Sequence, residues 1–175
     1  GLPALRAWIA KRYETMGVYD VTADDIIVTN GSQQALAMLG MCMIDPGDKV
    51  LVENPTYLVA LQSFHMFDPK IIPVQINPDG IDCEKLSETV KANPDAKFIY
   101  VIPTFQNPSG ITMSLEKRRA VLALAERYGA VILEDNPYGE LRFDGEDVPT
   151  IKSLDRGGQV LYCSSFSKIL SAGMR

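Results

Sequence analysis

Along nearly all of the 175 residues, short apolar runs rich in β-branched residues alternate with segments of helical period, and this alternation leaves few architectures open. Leu2, Leu5, Ile9, Tyr13 and Met16 recur at helical spacing before Gly17, which predicts a first helix over 3–16. Strands are expected over 26–29, 49–53, 71–75, 97–102, 130–134 and 159–163. Helices are expected over 33–44, 57–67, 83–91 and 115–128, the last capped by Ser114. Asp45-Pro46-Gly47 and Asn77-Pro78-Asp79-Gly80 are turn signals. Strands that are almost continuously apolar belong in a sheet buried on both faces. The expected fold class is therefore α/β, a mostly parallel sheet with helices on both faces in three layers. The polar stretch 144–158 reads as a surface connection, and the chain shows no internal repeat, low-complexity segment or long linker.

Composition narrows the functions. The chain is 46% hydrophobic and 22% charged with a net charge of −5, which is ordinary for one globular domain. It has no basic run, so a nucleic-acid surface within these residues is not expected. No stretch approaches the roughly 20 apolar residues of a membrane span, and the first residues lack the layout of a signal peptide. A cytoplasmic protein with no membrane partner is expected. Cys42, Cys83 and Cys163 are far apart and lack metal-ligand spacing, so they read as buried thiols in a reducing compartment. His65, the only histidine, lies in a predicted helix beside Phe64 and Met66 and reads as a packing residue. The chain opens on Gly1 and ends on Arg175, directly after its most chemical-looking segment, so a piece of a longer protein is expected.

In an open parallel sheet, ligands bind beyond the carboxyl ends of the strands, and five such junctions carry chemistry. At Asn30-Gly31-Ser32-Gln33 a strand is expected to give way to a helix, whose first N–H groups and dipole attract an anion such as phosphate. An ordinary turn capped by Ser32 reads equally well there. Neither G-x-x-x-x-G-K-[ST] nor a G-x-G-x-x-G after a strand is present. Tyr57 stands just past a strand end, where its ring is either core or a platform for a flat heteroaromatic ring. Asn107-Pro108-Ser109-Gly110 offers an amide to a phenolic oxygen, and is also an everyday turn. The strand before Asp135 delivers a carboxylate suited to a protonated ring nitrogen, with Tyr138 close behind as a donor to a neighbouring ring oxygen.

The fifth junction is Cys163-Ser164-Ser165-Phe166-Ser167-Lys168, followed by Arg175. A lysine among hydroxyls with an arginine seven residues on suits a chain that holds an aldehyde cofactor covalently and its phosphate ionically. Fully extended, those seven residues would span about 23 Å at roughly 3.3 Å each, so the segment must curl back. The small residues Ser171-Ala172-Gly173 make that curl sterically easy.

Taken in order, Gly31-Ser32-Gln33, Tyr57, Asn107-Pro108-Ser109-Gly110, Asp135 with Tyr138, and Ser165-Phe166-Ser167-Lys168 to Gly173-Met174-Arg175 resemble the large domain of fold-type I pyridoxal-phosphate aminotransferases of class I/II. The branch with aminoadipate and kynurenine aminotransferases is the one it most resembles. The resemblance implies pyridoxal 5'-phosphate as cofactor and transfer of an amino group between an amino acid and a 2-oxo acid. It implies that Ser32 and Gln33 bind phosphate with Ser165, Ser167 and Arg175, with Gly31 in the same turn. Tyr57 would stack on the ring, Asn107 and Tyr138 would hold the phenolic oxygen, and Asp135 would pair with the pyridinium nitrogen. Lys168 would be the Schiff-base lysine and proton carrier, with Asp135 and Tyr138 beside it in the catalytic set. No metal is implied. A cis Asn107–Pro108 bond and a homodimer are implied too. Residues 1–175 would be an incomplete cofactor-binding large domain, lacking the N-terminal arm and the C-terminal small domain, and the piece alone would be inactive. Ser171-Ala172-Gly173 departs from the Ala-Pro-Gly that relatives often carry before the arginine. Two other readings share the motifs: the aminotransferase-like regulatory domain of a GntR/MocR-type transcription regulator, and another reaction of the same cofactor, such as a lyase.

Overall fold

A computed structural model of the chain describes residues 1–173. The elements follow one another as α1 (Pro3–Thr15), a 3-10 turn (Ala23–Asp25), α2 (Gly31–Met43), β1 (Lys49–Asn54), α3 (Leu58–His65), β2 (Lys70–Asn77) and β3 (Gly80–Ile81). They continue as α4 (Cys83–Ala92), β4 (Phe98–Val101), α5 (Leu115–Tyr128), β5 (Val131–Asp135), α6 (Ile151–Leu154) and β6 (Val160–Cys163). The helices start and stop where local chemistry directs. Ser114 accepts from the Lys117 N–H as the N-cap of α5, Asp82 caps α4 through the Lys85 N–H, and Gly129 ends α5 in a left-handed conformation.

Six strands form one sheet in the order β3-β2-β1-β4-β5-β6. Every neighbouring pair is parallel except β2 with β3, an antiparallel hairpin closed at Asn77↔Gly80. The chain runs outward from β1 to β3 and then crosses back through α4 to β4, so the strand order reverses between β1 and β4. A crevice opens at such a reversal, beyond the carboxyl ends of the strands.

Alternation along each strand divides the core in two. Leu51, Ile99, Val101, Ile132 and Val160 face one side and pack with Leu86 and Val90 of α4, with Val121, Leu122 and Ala125 of α5, and with Ile151 of α6. Val50, Val52, Phe98, Tyr100, Leu133 and Cys163 face the other and pack with Leu36 of α2 and with Ala60 and Phe64 of α3. Both faces are covered, which is the three-layer arrangement the apolar strands required. A smaller cluster seats α1 through Ile9 and Ala10 against Ile26.

Two expectations are corrected. Residues 26–29 form no strand. Ile26 is buried against α1 but Ile27 is 75% exposed, and strand propensity without a neighbouring strand to pair with yields only extended chain. The stretch 144–158 is a surface connection only in its first part. It then turns inward to form α6, because Glu134 accepts the N–H groups of Ile151 and Lys152 at 2.9 and 2.7 Å, and Asp155 accepts those of Gly157, Gly158, Gln159 and Val160. Buried carboxylates thus satisfy the backbone that a polar sequence seemed to assign to water.

Candidate active site

Beyond the carboxyl ends of β1, β4, β5 and β6 lies a cavity of about 70 Å³ lined by Ser32, Tyr57, Ile102, Asn107, Asp135, Pro137, Tyr138 and Lys168. Six of the candidate residues therefore converge, brought from segments up to 136 positions apart because each follows or precedes a strand or helix end at the same rim.

Asp135 is the last residue of β5 and is almost fully buried. Its Oδ2 accepts the Tyr100 hydroxyl at 2.8 Å, while Oδ1 is buried with no hydrogen-bond partner among the described residues. Burial pushes the carboxyl up to about 6, and the Tyr100 hydrogen bond pulls the other way. An unpartnered buried carboxylate oxygen is costly to leave in an apolar setting, so it marks a place for a donor. A protonated ring nitrogen is such a donor.

Tyr57 is the N-cap residue of α3, and its hydroxyl is pushed up by burial and by the neighbouring Tyr138 and Asp135. Asn107 precedes a cis peptide bond to Pro108, as the resemblance implied; Asn54–Pro55 is cis as well. Lys168 follows β6 in a turn closed by Leu170 N–H on the Phe166 carbonyl at 2.9 Å.

The phosphate set is brought together only in part. Gly31 opens α2 at φ +72°, with open space where a Cβ would stand, so the position asks for glycine by conformation rather than by crowding. Asn30, the N-cap residue of α2, gives no side-chain cap, so although the Gly31 N–H donates to the Thr29 carbonyl at 2.9 Å, the N–H groups that follow it in the first turn keep their capacity to bind an anion. The Gln33 side chain does not face the cavity. Its amide donates to the Val59 carbonyl at 3.2 Å and to the Ser63 hydroxyl, locking α2 to α3, so only its backbone remains for an anion. Ser165 Oγ accepts the Ser167 N–H at 3.1 Å within their own turn. Arg175 lies outside the described residues.

Sequence reasoning missed Tyr100, Glu53 and Gln106. Glu53, the next-to-last residue of β1, is buried and accepts the Ile102 N–H at 3.0 Å and the Gln106 amide at 3.3 Å; burial raises it to about 7 against those two hydrogen bonds. Acids and a tyrosine inside otherwise apolar strands were the available signal. The thiols are free, but only Cys163 is buried, Cys42 being exposed and Cys83 intermediate. His65 is exposed on α3, its Nδ1 near the Leu61 carbonyl, and it does not line the cavity. Among the described residues, no group of His, Cys, Asp and Glu has metal-binding geometry, and no helix is long and apolar enough to cross a membrane.

The family model for aminotransferase class I and II matches residues 1–175. Aromatic-amino-acid aminotransferase 1 of Thermococcus litoralis is 45% identical over 98% of this chain and 41% of its own length. An uncharacterized HTH-type transcriptional regulator of Escherichia coli, YjiR, is 40% identical over 100% of this chain and 37% of its own. The crystal structure of LysN, α-aminoadipate aminotransferase from Thermus thermophilus complexed with N-(5'-phosphopyridoxyl)-L-leucine, superposes with a TM-score of 0.90 at 36% identity, covering 100% of this chain and 44% of that one. The chain thus spans under half the length of the curated relatives it matches. A match over every residue, on a sheet that gathers the strand-end residues into one cavity, places this chain in the aminotransferase class I and II family.

Proposed function

We propose that this chain is the cofactor-binding large domain of an enzyme that passes an amino group between an amino acid and a 2-oxo acid with pyridoxal 5'-phosphate. The observation that carries the reading is the buried Asp135 Oδ1, unpartnered among the described residues, on a residue that lines one cavity with Lys168. It is the acceptor that a protonated pyridine nitrogen needs, so the residues present fit the group. When bound, pyridoxal phosphate supplies the electron sink that makes a substrate's α-proton removable.

The chain's own residues have distinct tasks. Asp135, ionised above about 6, holds the proton on the ring nitrogen. Lys168 would attach the group and would carry the substrate's α-proton as a general base and acid. Asn107 and Tyr138 would donate to the phenolic oxygen, and Tyr57 would lie against the ring. Ser32 and the free N–H groups at the start of α2 would receive the phosphate, with Ser165, Ser167 and Arg175 as the further proposed ligands. The N-terminal arm and the small domain complete the site from outside residues 1–175, and a homodimer in the cytoplasm is the expected assembly.

The test is a titration of the full-length protein with pyridoxal phosphate. A visible absorption band that vanishes in Lys168→Ala, together with release of a 2-oxo acid when amino donors are added, is the expected result. A band that persists in Lys168→Ala sinks the assignment. A band without turnover for any donor moves the protein to the regulatory reading, which its likeness to the Escherichia coli regulator keeps in view.

A further inference from the structure

Tyr100 sits in the middle layer of the sheet, fully buried, on the β4 face that packs against Phe64 edge to face at 5.5 Å. Nothing about that packing requires a hydroxyl. Yet the hydroxyl is present, 35 residues away in sequence from Asp135, and donates to Asp135 Oδ2 at 2.8 Å. Of the carboxylate's two oxygens this one is engaged and the other has no partner among the described residues, although the whole group is buried. Without the hydroxyl, the carboxylate could rotate or take up a proton on either oxygen.

We propose that Tyr100 is a positioning residue: it pins Oδ2 of Asp135 so that Oδ1 alone stays free at the cavity to accept the ring N–H of the bound heterocycle. The proposal rests on the cofactor reading above and adds to it a residue that does not line the cavity. The remaining titratable groups around the carboxylate are Tyr57, Tyr138, Cys163 and Lys168, and none of them is hydrogen-bonded to it among the described residues. Burial and the facing carboxylate hold the Tyr100 hydroxyl well above its ordinary range, so it remains a donor at any working pH.

Tyr100→Phe tests this, since phenylalanine keeps the ring and its packing. The full-length protein is used without cofactor and loaded with pyridoxal phosphate, beside Asp135→Asn, Lys168→Ala and the Tyr100→Phe/Asp135→Asn double variant. In the cofactor-free protein, the infrared carboxyl band lost in Asp135→Asn should titrate at higher pH in Tyr100→Phe. In the loaded protein, Tyr100→Phe should retain the Lys168-dependent band while its dissociation constant for pyridoxal phosphate rises about tenfold, the value of one charge-assisted hydrogen bond. In the Asp135→Asn background the same substitution should change that constant less than twofold, as expected when one residue acts through the other. Unchanged carboxyl titration, or an equal loss of affinity in both backgrounds, overturns the proposal. A wild-type protein without a Lys168-dependent band overturns the cofactor reading itself and the proposal with it, an outcome the Lys168→Ala control separates from the others.

Discussion

Gln106 reaches from the loop after β4 to Glu53 at the end of β1, its Nε2 donating to the buried carboxylate at 3.3 Å. The same Nε2 donates to the Pro55 carbonyl at 2.7 Å, and Oε1 accepts both the N–H and the hydroxyl of Ser109. One amide thereby joins the loop that carries Tyr57 to the loop that carries Asn107. These two loops flank the reversal of strand order between β1 and β4, so their relative position sets two walls of the cavity.

Replacing Gln106 with leucine should therefore be felt twice. It leaves the Pro55 carbonyl and the Ser109 groups without their partner and takes one of two donors from a buried acid, a loss of about 2–4 kcal/mol that denaturant unfolding would measure. Because Tyr57 and Asn107 lose their common anchor, retention of pyridoxal phosphate should fall as well. Full cofactor affinity in a destabilised Gln106→Leu protein would show that the two loops are held apart from this amide.

Arg118 carries a second prediction. It is fully buried in α5 and donates to the carbonyls of Met113, Pro103, Val148 and Pro149 and to the Thr104 hydroxyl, at 2.8–3.2 Å. Burial lowers its pKa, and the nearby Glu134 acts in the opposite direction. The guanidinium fork matches this spread of acceptors, which a lysine ammonium cannot reach together. Arg118→Lys should cost about 2 kcal/mol and Arg118→Met about 3–5 kcal/mol by urea unfolding. Equal stability of the two variants would mean that the charge contributes nothing here without the fork, and wild-type stability in Arg118→Lys would mean that the charge matters and the fork does not.

Asp155 makes a third case, at the turn from α6 into β6. Its two oxygens accept four consecutive backbone N–H groups and the Lys152 ammonium. Asp155→Ala strands those donors in a half-buried turn and should destabilise by about 2–4 kcal/mol. Asp155→Asn keeps one acceptor and should fall between alanine and wild type. Amide exchange at 157–160 is the direct readout, since protection there should drop before it drops in β1 or β4.

How far the sequence led is clearest from residues that behaved differently. Strands such as Phe98–Val101 and Val131–Asp135 were legible because both faces are buried, so each carries a run of at least three consecutive apolar residues. Ser32, Tyr57, Asn107, Asp135, Tyr138 and Lys168 were legible because parallel strands put their carboxyl ends on one rim, whatever the spacing between them. Gln33 misled because its partner in α3 is 26–30 residues away, and no local pattern tells a helix-bridging amide from a ligand-binding one. Tyr100 was silent for the same reason: in a strand of Phe, Ile, Tyr and Val it reads as core, and its partner is 35 positions on. Ile26 and Ile27 show the converse, a strand-like run that had no strand to pair with.

Asp135→Asn gives the last prediction, in which stability and function move in opposite directions. Burial raises the carboxyl from 3.8 to about 6 in the folded protein, so between those values the folded state holds more protons than the unfolded one. Wild-type stability from this group is then fully present at low pH and declines as pH rises through that window. Asparagine does not titrate. The stability of Asp135→Asn relative to wild type should shift in the variant's favour by roughly 1–3 kcal/mol between pH 4 and pH 7.5, measured by denaturant unfolding of the cofactor-free full-length protein. The same variant should lose about 10²-fold or more in amino transfer, because an amide cannot hold a proton on a ring nitrogen as a carboxylate does. A pH-independent stability difference would show that Asp135 is ionised in the folded protein as easily as in water. The unpartnered oxygen at the cavity would then need another explanation.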